Sequence, residues 1–350
     1  MAYTAIDDPE AYFQTVIYTG DGNTGRSITL PGDTDMQPDL VWLKSRGEAE
    51  HHQLTDSVRG VNKQLYSHLA YGEATETDRI TAFNSDGFTI EDDVIVNKDT
   101  VAFVAWCWKA GGSGSSNEDG SINTTATSAN ADAGFSIVSW TGSDANATIG
   151  HGLSSAPEFI TIKNRTDTSS WLTYLTTIGA GNFLRLNETN ASASGSTPFN
   201  DTASTSSVFS VGANNDTNGS SDSMIAYCFS SVQGFSKVGS YTGNGDDDGA
   251  FIYTGFKPAW VLTKQTNSTN HWHIHDNKRN AFNVVGKNLK ADANNVEEDP
   301  AGGENSRDFL SNGFKFRDAD HNNGDGVPYI YMAFAEAPFV NSNGVPCNAR

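Results

Sequence analysis

Pro258-Ala259-Trp260-Val261-Leu262-Thr263-Lys264 is one of three stretches built alike. The others are Pro157-Glu158-Phe159-Ile160-Thr161-Ile162-Lys163 and Pro38-Asp39-Leu40-Val41-Trp42-Leu43-Lys44. Each has a proline, one variable residue, a short apolar run and a closing lysine. Proline suits the start of a β-strand, where its missing N–H costs least. A short apolar run between polar turns reads as a buried strand. Three copies in one chain mark an internal repeat. A lysine recurring at one strand exit points to a packing position rather than to three active sites.

Further motifs recur in the same order. Tyr18-Thr19-Gly20, Trp140-Thr141-Gly142 and Tyr241-Thr242-Gly243 open the repeats. A polar strand follows each proline motif: His52 to Asp56, Ser170 to Tyr174, and His271 to Asp276. Asp56 with Arg59 and Asp276 with Arg279 read as structural ion pairs, which the second repeat lacks. Ser85-Asp86-Gly87 and Ser311-Asn312-Gly313 are hairpin-turn sequences that supply positive φ cheaply.

Each repeat closes on a strongly apolar strand: Val101 to Trp108, Met224 to Phe229, and Tyr329 to Phe334. Aligning Ala105-Trp106, Ala226-Tyr227 and Ala333-Phe334 puts Cys107 and Cys228 at one position, with Ala335 in the third copy. Equivalent positions lie far apart, so the two cysteines read as small hydrophobes and not as a disulfide. The closing strands are apolar on both faces. One face is expected to fill a sandwich core and the other to pack on a neighbouring repeat or another chain.

The 350 residues include 42 acidic and 22 basic ones, a net charge of −20. That balance argues against a phosphate-backbone partner and against an anionic membrane surface. Gly, Ser, Thr, Asn and Asp dominate, as in loop-rich all-β proteins. The start, Met1-Ala2-Tyr3-Thr4, lacks the pattern of a secretory signal peptide, and no run approaches a membrane span. The expected architecture is all-β, with three tandem β-sandwich repeats of jelly-roll type. The boundaries are 1–109, 135–230 and 231–350, with a Gly/Ser/Asn/Thr-rich linker over 110–134.

Two constellations carry candidate chemistry. His271, His273 and His275 alternate, so on a strand all three point to one face and form a candidate transition-metal face. Asp318, Asp320 and Asn322 alternate ahead of Gly324, like the front half of an EF-hand calcium loop, but Tyr329 stands where the bidentate Glu belongs. No nucleophile elbow, zinc-protease helix, phosphate loop or dinucleotide fingerprint is present, so no enzyme is expected and no resident cofactor. Paired carboxylates of a glycan-cleaving enzyme remain an open alternative among 42 acids.

In its motif order the chain resembles an uncharacterised tandem-repeat family of marine bacteriophage virion proteins. Gly150-His151-Gly152-Leu153 before Pro157, and Ala333-Phe334-Ala335-Glu336-Ala337-Pro338-Phe339, are similar to that family's phrases. The module also looks like a lectin-type jelly roll. The resemblance implies a virion-surface protein: a tail fibre or spike that aids host attachment, with capsid decoration or a tailspike glycan depolymerase as alternatives. It implies other virion proteins and a host surface glycan or receptor as partners, and by analogy a homo-trimer. Neither nucleic acid nor membrane insertion is expected. It supplies no catalytic residues. Function is expected where the repeats differ, in the histidine strand and acidic loops of the third.

Overall fold

The strands that the proline motif marks, Leu40–Ser45, Phe159–Asn164 and Phe256–Gln265, each lie inside a larger antiparallel sheet. The computed structural model describes residues 3–299, 305–319 and 321–348. Among them the chain is nearly all β, with two four-residue helices and one 3-10 turn. Three segments repeat one strand order: opening strand, closing strand, proline-marked strand, then the polar strand. The opening strands are Phe13–Thr19, Phe135–Thr141 and Ser236–Thr242; the closing strands are Ala102–Trp108, Ser223–Phe229 and Pro328–Pro338. Gln53–Asp56, Leu172–Leu175 and His273–Asp276 are the polar strands. Residues 110–134 do more than link: Ala126–Asn130 pairs with the opening strand of the middle sheet and widens it.

A smaller sheet accompanies each larger one. In the first segment Ile28, Ile80, Phe88 and Ile90 of the smaller sheet meet Val16, Phe103, Ala105 and Cys107 of the larger. In the middle segment Ile149, Phe209 and Val211 meet Trp140, Met224, Ala226 and Cys228. Cys107 and Cys228 are thus free thiols in separate interiors, and burial pushes both thiol pKa values up.

The other face of the closing strands belongs to a third apolar cluster, which all three segments share. It takes Val104, Trp106 and Trp108 from the first, Ile225, Tyr227 and Phe229 from the second, and Trp260 and Phe334 from the third. Trp108, Phe229 and Phe334 hold equivalent register positions, opposite Leu40, Phe159 and Trp260. Their ring centroids form a triangle with sides of 6.3, 5.8 and 5.7 Å. In the first two closing strands period-two alternation sends odd and even residues to different cores, while in the third both faces, Ile330 to Ala335, join the shared cluster, which is why these strands carry no polar face. The second apolar face is covered within the chain.

The register corrects one alignment. Cys107 lies opposite Val41, Cys228 opposite Ile160 and Ala333 opposite Val261. Ala333, not Ala335, therefore takes the cysteine position, and Met332 takes the place of Trp106 and Tyr227. A slip of two residues keeps every side chain on its own face, so the apolar pattern could not reveal it.

One repeated device escaped the motif comparison. Asn97, Asn218 and Asn323 are fully or almost fully buried, and each ties down the turn after an opening strand. Their amides donate to Asn23 O, Ala145 O and Asp246 O at 2.8, 2.7 and 2.9 Å. The residue after each asparagine lies so close to Gly20, Gly142 or Gly243 that an added Cβ would sit 2.1, 2.0 or 2.3 Å from its carbonyl oxygen. Only glycine fits against that backbone. Gly142→Ala is expected to lower stability by about 2 kcal/mol or more, since backbone must move to relieve the overlap. A urea melt checks this; an unchanged midpoint would show that the turn yields freely.

Ion clusters join neighbouring segments. Asp56 and Arg59 are buried, and Asp56 Oδ2 also accepts the Tyr227 hydroxyl at 2.7 Å. Asp276 and Arg279 are buried in the same way, and Asp276 Oδ2 accepts the Trp106 indole N–H at 3.0 Å. Arg165 pairs with Glu73 and Arg46 with Glu297, each through two hydrogen bonds of 2.8–3.0 Å. The middle segment has Leu175 in register with Asp56 and Asp276, so its version of this contact is apolar.

Candidate functional site

The three repeated lysines are structural. Lys44, Lys163 and Lys264 are fully buried. Each ammonium donates to the carbonyl of the following residue, at 2.6, 2.6 and 2.7 Å. A second carbonyl accepts in each case, from Glu48, Asp167 and Thr189. Burial lowers all three to about 8 from 10.5. The unfolded chain then binds more protons between about pH 8 and 10.5, so these lysines make stability rise with pH in that window. Burial raises the Tyr18, Tyr227 and Tyr241 hydroxyls and the Cys107 and Cys228 thiols, so the unfolded chain sheds those protons first and stability falls at higher pH. The thermal midpoint is expected to climb from pH 7.5 to near 9 and then drop. A profile that falls steadily from pH 7.5 would contradict the lysine assignment.

The third segment has polar residues of its own. A cleft of about 590 Å³ there is lined by Asn270, His271, His273, Lys290, Glu298, Asp299, Asn305 and His321. It joins the two stretches that the sequence singled out. Asn270 bridges them by donating to the His321 carbonyl at 2.9 Å.

The three histidines do not share one environment. His271 is partly exposed and pairs with Asp292 at 2.7 Å. His273 is buried, and its Nε2 lies 3.3 Å from Asn270 Oδ1. His275 is wholly buried. Burial first, then the positive charge of Arg307, pushes His273 and His275 well below the usual histidine range. His271 lies ahead of the strand; it and His273 line the cleft, while His275, on the strand face of His273, does not. Among the described residues no group of three or more His, Cys, Asp or Glu is placed to hold a metal ion.

The acidic loop is also turned inward. Asp318 accepts from the Asn305 backbone N–H and lies 3.2 Å from His321 Nδ1. Asn322 is buried; its amide donates to Asn305 Oδ1 at 2.7 Å and its Oδ1 accepts from Thr263 at 3.1 Å. Its oxygen therefore accepts from a neighbouring strand. Asp320 lies outside the described residues.

Sequence reasoning missed Arg307, which is fully buried beneath this region. It lies opposite Phe316, as Ile80 lies opposite Ile90 in the first segment. The polar strand follows suit: His273 and His275 replace Gln53 and Thr55 in register. A charged residue where a related strand carries isoleucine was the available signal, but a bulge beside Ile80 hid the correspondence.

A family described as a domain of unknown function (DUF7483) matches residues 8–338. The chain belongs to the DUF7483 family. The match spans all three segments, so this DUF7483 chain carries the whole architecture of larger and smaller sheets. A comparison with curated proteins gave no match. Among the described residues no helix is long and apolar enough to cross a membrane.

Proposed function

We propose that this DUF7483 chain is a non-enzymatic structural protein of a bacteriophage particle surface, a tail fibre or spike component that aids host attachment. In this reading it is built of three lectin-like β-sandwich repeats, works as a homo-oligomer beside other virion proteins, and uses its third repeat to meet a host surface glycan or receptor. One observation carries the reading. The side chains that recur in all three segments, the lysines and the turn asparagines, are consumed by internal hydrogen bonds. Several polar residues particular to the third segment, His271, His273 and His321 among them, line one cleft. A scaffold repeated for stability with one elaborated copy suits recognition better than turnover.

Immunogold labelling of purified phage particles with an antibody against the chain tests this. Label on tail appendages is expected. Label over the capsid would replace attachment by decoration, and particles without label would overturn the virion assignment. Release of oligosaccharides from host envelope by the purified protein would favour the glycan-cleaving alternative.

A further inference from the structure

The third segment buries a full positive charge without an acceptor. Arg307 has no exposed surface, and Nε and both terminal nitrogens lack a hydrogen-bond partner among the described residues. Neither ring nitrogen of His275 makes a hydrogen bond of good geometry there, nor does Nδ1 of His273. Phe316 stacks 4.9 Å from the guanidinium carbon and compensates part of the charge, but a ring face offers nothing to N–H groups in the guanidinium plane. Asp318 and the Tyr241 hydroxyl influence Arg307 at longer range, and burial lowers it to about 10, so it stays charged at neutral pH.

The first segment shows how the fold treats such a group otherwise. Arg79, in its interior, donates to Gln53 Oε1, Tyr66 O–H and Asp93 Oδ2, all at 3.0 Å. Ile80, in register with Arg307, is apolar. Buried charges are paired as a rule, because an unpaired one loses its hydration without return. The N–H groups of Arg307 lack an acceptor among the described residues, and His273 is both buried and part of the open cleft's lining; what the guanidinium wants is a small negative charge.

We infer that Arg307, His273 and His275 enclose a binding site for a small inorganic anion of halide size, reached through the cleft of the third segment. The guanidinium supplies the charge and its unpaired N–H groups; His273 spends its one N–H on Asn270 Oδ1 and lines the way in without donating. Chloride fits this chemistry, since it accepts from several donors in any direction. The site is independent of the attachment reading and stands whether or not that reading holds.

Two measurements on the intact chain decide the matter. Crystals soaked in sodium bromide should show an anomalous peak in contact with Arg307. The thermal midpoint should rise by on the order of 2 °C when chloride replaces gluconate at constant ionic strength. Arg307→Met should lose both effects. If that variant fails to fold, Arg307→Ile, which copies Ile80, serves instead. Bromide peaks only at the protein surface, or equal midpoints in both salts with water around Arg307, would overturn the site.

Discussion

Asp276→Ala is expected to cost about 3–5 kcal/mol, because it strands a buried guanidinium. Asp276 Oδ1 accepts the backbone N–H groups of Lys278 and Arg279, and Oδ2 accepts Arg279 Nε and Trp106 Nε1. Four donors lose their acceptor at once. Among the described residues Arg279 would keep as hydrogen-bond acceptors the Ile274 carbonyl at 2.8 Å and Glu297 at 3.2 Å, and Glu297 is shared with Arg46. Through Trp106 this carboxylate joins the first and third segments, so the effect should reach both.

The middle segment suggests the control. It places Leu175 and, three residues on, Ile178 where the others place their acid and arginine. Apolar replacement of a whole buried pair is often neutral or stabilising. Asp276→Leu with Arg279→Ile is therefore expected to regain most of what Asp276→Ala loses. Urea unfolding of the two variants and the parent provides the comparison. A loss below about 1 kcal/mol for Asp276→Ala, or a double variant no better than the single, would show that the cluster is not held by charge pairing.

Much of this molecule is legible in its amino-acid sequence. The proline motif marks the strand that pairs with both the closing and the polar strand, and the doubly apolar closing strands announce that both their faces are covered. What the sequence conceals follows from period-two geometry and from long-range pairing. A two-residue slip at Ala333 leaves the pattern unchanged. The turn asparagines recur beside different neighbours: Lys98, Gly219 and Gly324. The histidine strand and acidic loop stand out as candidate sites; His271, His273 and His321 line one cleft, while His275 and Asn322 are buried. Arg307 carries the opposite lesson, since nothing local marks an arginine in a strand as buried. Only its register with Ile80 does so.

Trp108→Ala should be as damaging as loss of the ion cluster, and by a different route. Trp108 packs edge-on against Phe229, Phe334 and Trp260 and lies 5.0 Å from Phe13. Removing the indole opens a cavity where three segments meet, and rigid sheets on every side limit collapse, so about 3–5 kcal/mol is expected. The shape of the transition matters as much as its midpoint. Segments with separate cores would unfold in steps, and a Trp108 variant would shift one step alone. A shared centre makes the three segments one cooperative unit, so scanning calorimetry should record a single endotherm that moves down as a whole. Phe229→Ala and Phe334→Ala, at the equivalent vertices, should move the same endotherm by comparable amounts. If only part of the heat absorption shifted, the aromatic triangle would be a contact between independent domains and not their common core.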